Sequence, residues 1–166
     1  MKRFILIACL LLTACVPKIT MPNLTPVNDA SYQRVIDLPG LTKQQIFEKS
    51  KQWMAKTFIS SKQVIEYENL QEGQIIGNST ANLTFTVVSS LVGPVTSSYQ
   101  ARFTITEDIK DGKARITFDR VWVQNLNAGR EGEGITQDGW NQLKPKLISL
   151  AQNLTEHLTT SSPKNW

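Results

Sequence analysis

Residues 99–124, "YQARFTITEDIKDGKARITFDRVWVQ", decide the fold. Tyr99, Ala101, Phe103 and Ile105 alternate with Gln100, Arg102, Thr104 and Thr106, the two-residue period of a strand with one buried and one wet face. Lys110-Asp111-Gly112-Lys113 then reverses the chain, because Asp-Gly tolerates the positive φ angles of a tight hairpin. A second strand follows over 114–124, in which Ile116, Phe118 and Trp122 are expected to share a face. Two consecutive strands joined by a short turn pair antiparallel, and their apolar side needs a covering layer.

Outward from this hairpin, the same reasoning finds the remaining elements. Residues 63–68 and 74–88 read as two earlier strands, and 98–107 bounds the strand of the alternating pattern. A first strand over 32–38 places Arg34 and Ile36 on one face and ends at Leu38-Pro39-Gly40. Thr42 then serves as N-cap with Gln45 as its capping-box partner, and Leu41 and Ile46 stand where a hydrophobic staple joins across the cap. Ile46, Phe47, Trp53, Met54 and Phe58 recur on one face of the helix so begun. At the far end Trp140, Leu143, Leu147, Leu150, Ala151, Leu154 and Leu158 form a second helical stripe, in which Pro145 must sit near the first turn or kink the helix. The order is β-α-β-β-β-β-α. It predicts an α+β domain, an antiparallel sheet of about five strands with two helices on one face and a threonine-rich face left open.

The N-terminal segment has a different character. Lys2 and Arg3 precede an apolar run from Phe4 to Leu12, too short to span a bilayer, and the small residues Thr13 and Ala14 stand before Cys15. The stretch Leu12-Thr13-Ala14-Cys15 resembles the lipobox of bacterial lipoproteins, which implies a signal peptide over 1–14 and lipid attachment at Cys15. Two or three acyl chains, at ~0.8 kcal/mol per buried methylene, hold a protein to a membrane where one chain does not. The resemblance also implies an outer-membrane address, facing the periplasm or the cell surface, because Val16 stands where an aspartate would signal inner-membrane retention. Pro17, Pro22 and Pro26 make 15–30 an extended tether, leaving a single domain over 31–160 and a tail over 161–166 that ends in Trp166. Cys9 leaves with the signal, so neither a disulfide nor a cysteine metal site is expected.

Loss of Lys2 and Arg3 lowers the basic count from 18 to 16 against 14 acidic residues, and the formal charge from +4 to +2. That charge gives little reason to expect nucleic acid as a partner. The segments "VIDLPGLTKQQIFEKSKQWMAKTF", "GQIIGNST" and "YQARFTITEDIKDGKARITFD" resemble a bacterial family of lipoprotein-borne domains of unknown function described as TBP-like in fold. The likeness covers roughly residues 33–123, and the closing helix matches in order alone. It implies the fold and brings no activity, cofactor or site residue with it.

Other constellations are weaker. Gly129, Gly132 and Gly134 lack the order of a phosphate-binding loop, and Glu131 and Glu133 among them would repel an anion, so 127–134 reads as a flexible connection. His157, the single histidine, excludes a histidine metal cluster and reads as a boundary residue. No cofactor motif is present. Two features point to binding: the open face with Arg102, Thr104, Thr106, Arg115 and Thr117, and the apolar tip "VVSSLVGPV" over 87–95, with Leu91 and Val92 around a Gly-Pro turn. A plain solvated face and a tip folded back on the core are the bland alternatives. The leading expectation is a non-enzymatic, membrane-anchored binding or structural module that engages an envelope protein or other envelope component. The alternative is an enzyme acting on an envelope polymer with two carboxylates drawn from Glu66, Glu68, Glu107, Asp108, Asp111 and Asp119.

Overall fold

The structure, a computed structural model, describes residues 23, 25–58, 65–89, 93–126, 130–131 and 134–160. The lipobox with Cys15, the glycines 129 and 132, Leu91, Val92 and Trp166 lie outside the described residues.

Five strands form the main sheet. They are β2 (Tyr32–Asp37), β3 (Ile65–Asn69), β4 (Gln74–Ser89), β5 (Gly93–Lys110) and β6 (Lys113–Asn125), in the spatial order β2-β6-β5-β4-β3 with every pairing antiparallel. Helix α1 (Lys43–Thr57) follows β2, and α2 (Gln137–Thr159) closes the chain. The alternation of β5 holds: Ala101, Phe103, Ile105 and Ile109 are buried against the helices, together with Ile116 and Phe118 of β6 and Ile75 and Leu83 of β4. Trp53 and Met54 of α1 and Leu143, Leu147, Ala151, Leu154 and Leu158 of α2 complete this core. Its two helices are also tied by a polar contact, Trp53 Nε1 donating to Asn153 Oδ1 at 2.7 Å.

Local chemistry accounts for the ends of α1. Thr42 Oγ1 accepts from the Gln45 N–H while the Gln45 side chain accepts from the Thr42 N–H at 2.9 Å, the reciprocal box that the sequence predicts. A remote group adds to it, since Asp111 Oδ1 in the β5–β6 turn accepts from the Lys43 N–H at 2.6 Å. Of the two turn residues Gly112 alone takes the expected positive φ, +70°, Asp111 keeping an ordinary backbone, and the Gly112 carbonyl accepts the Leu38 N–H at 2.7 Å. The hairpin that sets the sheet thus also seats the first helix.

Three expectations are corrected, and the two alternatives for Pro145 are reduced by exclusion of the first turn. Ile116, Phe118 and Trp122 do not share a face: a bulge opposite Phe103 places Arg120 at φ +50°, and Trp122 pairs outward with Arg102 while Val121 and Val123 turn to the core. Gly93 and Pro94 are not a turn but the start of β5, opposite Ser89 and Val88, so β4 and β5 extend beyond the other strands as a two-stranded ribbon. Pro145 lies well inside α2 on its exposed side, where the missing N–H removes one helical hydrogen bond. The chain also joins the folded body before residue 31. β1 (Pro26–Val27) pairs with β8 (Ile135–Thr136), Asn23 N–H donates to Asp138 Oδ2 at 2.6 Å, and Ala30 is buried. Within the glycine-rich connection, β7 (Arg130–Glu131) pairs with the end of β6.

Candidate functional site

The outward face of the sheet presents the residues that the helices leave uncovered, and the strand register sorts them into rows. Nearest the β5–β6 turn, Arg115 stands beside Asp108, and Asp108 beside Gln74. Arg115 donates to Asp108 Oδ2 through Nε at 3.1 Å and Nη2 at 2.7 Å, and Gln74 Nε2 donates to Asp108 Oδ1 at 3.1 Å. Lys113 pairs with Asp37 at 3.0 Å. A depression of about 390 Å³ opens here between Val35, Lys110 and Arg115. In the next row Thr117 faces Thr106 across the strands, both half-buried.

Further along, Thr104 is 7% exposed and donates to Asn78 Oδ1 at 2.9 Å, while Asn78 Nδ2 donates to Glu66 Oε1 at 2.6 Å. The Thr104 proton is therefore used within the sheet. Toward the ribbon, Arg102 lies over the Trp122 ring, 4.7 Å from its centroid, with Thr80 as its neighbour on β4. Among the described residues no carboxylate is in ion-pair range of Arg102.

The expected single patch of Arg102 and Arg115 is thus two. Arg115 sits across from Asp108, and Arg102 lies six residue steps along β5 from Asp108 at ~3.3 Å each, so the arginines stand about 20 Å apart at the backbone. Trp122, which sequence reasoning assigned to the core, belongs to the Arg102 patch. The signal that would have found it is the Asp119-Arg120 pair, polar at two successive positions of an otherwise alternating strand.

The six carboxylates of the enzymatic alternative also disperse. Glu68 pairs with Lys51 at 3.0 Å, Asp111 caps α1 and Asp108 is held by Arg115. Asp119, with one buried oxygen lacking a hydrogen bond, lies on β6 and Glu66 on β3, three strand spacings or about 14 Å apart at the backbone. Glycoside hydrolysis by paired carboxyl groups needs them within about 5–9.5 Å.

Glu107 faces the other way, fully buried between β5 and α1, and burial pushes its carboxyl up to about 7. Ser50 of α1 lies near enough to offset a little of this, yet neither the Ser50 hydroxyl nor either Glu107 oxygen has a partner in hydrogen-bond geometry. No substrate could reach the acid there. His157 is half-buried on α2; burial first, then Lys56 and Lys49, hold its imidazole below the ordinary value. Among the described residues no group of three histidine, cysteine or acidic side chains could hold a metal, and no helix is long and apolar enough to cross a membrane.

Comparison with known proteins places the fold. The family described as "Domain of unknown function (DUF4468) with TBP-like fold" matches residues 32–124. A crystal structure of a DUF4468 family protein from Bacteroides ovatus is similar with a TM-score of 0.58 at 14% identity, covering 86% of this chain and 94% of that one. A TBP-like protein from Parabacteroides distasonis is similar with a TM-score of 0.58 at 12% identity, covering 87% of this chain and 99% of that one. At these identities the likeness carries the fold alone. No curated protein sequence matches the chain.

Proposed function

We propose that this chain, which belongs to the DUF4468 family of domains of unknown function with a TBP-like fold, is a lipid-anchored envelope module that binds a partner through the ribbon end of its outward sheet face. The Arg102–Trp122 stack carries the reading. At the β5–β6 turn Lys113 and Arg115 are matched to carboxylates of the same sheet, which occupies their donors. Arg102 instead rests on an aromatic ring, exposed, with guanidinium donors directed by no carboxylate among the described residues. Arginine and tryptophan are the side chains that most often dominate binding interfaces, because each buries a large area and keeps directional donors. The partner is an envelope protein or another envelope component that presents acceptors to Arg102 and an apolar edge to Trp122. A formal charge of only +4 over 166 residues argues against a basic stripe for nucleic acid.

The anchor is Cys15, behind the apolar run and the small residues Thr13 and Ala14, and Val16 favours the outer membrane. Crosslinking in cells, followed by purification from membranes, tests both parts. Wild type and Arg115→Ala are expected to recover the same partner, whereas Trp122→Ala and Arg102→Glu recover about tenfold less. Equal recovery from all four proteins removes this surface from consideration. Cys15→Ser is expected to shift the protein from the membrane to the soluble fraction, and retention on the membrane would refute the anchor.

A further inference from the structure

The two-stranded ribbon and the entry of the N-terminal chain lie at the same end of the domain. On the helix side, the row of β5 that is buried at Phe103 and Ala101 continues past Tyr99 to Ser97 and Val95, which pair with Phe85 and Val87 of β4. α2 begins beside Phe85, whose ring would lie 3.4 Å from a Cβ on Gly139, and Val95 beyond it is 47% exposed. Pro94, Thr96 and Thr86 are exposed as well. No Asp, Glu, Lys or Arg occurs between Glu72 and Arg102, although sheet edges usually carry charge. Such a surface can give up water without desolvating an ion.

The chain enters beside the same point. Asn23 N–H donates to Asp138 Oδ2 at 2.6 Å and Gln137 N–H donates to the Thr25 carbonyl at 2.8 Å, both at the start of α2. Eight residue steps lead from Cys15 to Asn23, a span of at most ~29 Å at ~3.6 Å each. Along β5, four steps of ~3.3 Å carry the ribbon ~13 Å from Ser97 to Gly93, and thirteen carry the strand ~43 Å the other way to Lys110. A lipid on Cys15 can therefore bring the ribbon to the membrane surface, whereas standing the β5–β6 turn on that surface would need a longer tether.

We infer that the ribbon end, with Pro94 and Val95 foremost, is a contact surface for the phospholipid layer that holds the Cys15 anchor. This rests on the lipid anchor of the proposed function and not on the Arg102–Trp122 surface. The contact is small in area, and the anchor sustains it by keeping the lipid at high effective concentration. Because the ribbon carries no charge, the lipid it takes need not be anionic. Arg102 then stands nine residue steps or ~30 Å along β5 from Gly93, clear of the headgroups and open to a partner.

Spin labels on the acylated protein, reconstituted into phosphatidylcholine vesicles, test this contact. With Cys9 removed and Cys15 acylated, an introduced cysteine is the one free thiol. The label at Thr96→Cys is expected to lose most of its access to a water-soluble nickel chelate and gain access to oxygen, while the label at the exposed Lys110→Cys keeps its aqueous values. Adding Val95→Asp to Thr96→Cys should lower the lipid-contacting population about tenfold or more and restore the chelate's access. Salt at about 0.5 M should leave the contrast between the two positions intact. Equal access at the two positions in vesicles that do carry the protein overturns the inference and leaves the anchor standing. Protection that survives Val95→Asp or vanishes in salt overturns it too, as does dipolar broadening at position 96, the sign of a second copy in place of lipid. Failure of the wild type to float with vesicles, as Cys15→Ser fails, refutes the anchor and the inference together.

Discussion

The two faces of β5 treat neighbouring carboxylates in opposite ways. Asp108 points outward, where Arg115 and Gln74 occupy both of its oxygens. Glu107, one residue earlier, points inward under α1 and has no hydrogen-bond partner for either oxygen. A strand buries every second side chain whatever its chemistry, and the outward row can recruit partners from adjacent strands while the inward row meets the largely apolar faces of the helices. The difference recurs in the aromatics: Phe118 is sealed between Tyr32 and Phe103, whereas Trp122, on the same strand, carries Arg102 at the surface. What a residue does here follows from the face to which its register assigns it.

The largest expected effect tests that contrast among the aromatics. Phe118→Ala should lower stability by about 3–5 kcal/mol, and Trp122→Ala by about 1 kcal/mol, measured by urea denaturation. Similar losses from the two would show that the outward face is not a separate, accessible surface.

The contrast among the carboxylates predicts a pH dependence. Glu107 has its ordinary value of 4.5 in the unfolded chain and about 7 in the folded one. The folded state thus holds a proton that the unfolded state releases. The associated stability is fully present below about 4.5 and is lost as pH rises through 7. At ~1.36 kcal/mol per pH unit the gap corresponds to about 3 kcal/mol. His157 works in the opposite sense, since a depressed imidazole removes stability as pH falls. The difference between wild type and Glu107→Gln isolates the glutamate: the variant should lose the fall in stability between pH 5 and 8.5 that the wild type shows. Parallel profiles for the two would mean that the acid meets water or a cation in solution.

Two smaller effects sharpen the comparison. Arg120→Val should cost about 1–2 kcal/mol, because a β-branched residue resists φ +50° and favours regular pairing that would turn Trp122 inward. Arg120→Gly should be neutral or slightly stabilising, and equal stability of the two variants would relieve the bulge of its role. Arg115→Ala should change stability by less than about 1 kcal/mol, since its pair with Asp108 is half in water, and added salt should shrink even that. A larger loss would mark the pair as part of a cooperative network with Gln74.

Much of this architecture is legible in the amino-acid sequence. The alternation through Tyr99, Ala101, Phe103 and Ile105, the Asp-Gly turn, the Thr42–Gln45 box and the leucine stripe of α2 depend on residues close in sequence, and each is present in the folded chain. Continuing the same alternation by one step would have put Glu107 inside, although an acid at that position argues against it on chemical grounds. The outward face was legible as a face but not as a site. Whether Arg102 and Arg115 meet depends on sheet register, and whether Trp122 joins them depends on a bulge formed by an arginine, which announces no positive φ in the way glycine does.

The amino-acid sequence by itself determined the order of the elements, the ends of α1, the side of each strand that seeks a core, and the family to which the chain belongs. Periodicity, capping and turn chemistry act over a few residues, and no distant partner is needed to express them. Tertiary structure alone decided that Arg102 lies on Trp122, that Asp111 caps a helix far away in sequence, and that Glu107 goes without a partner. Each of these is a meeting of groups remote in the chain, and such meetings are set by packing the layers together.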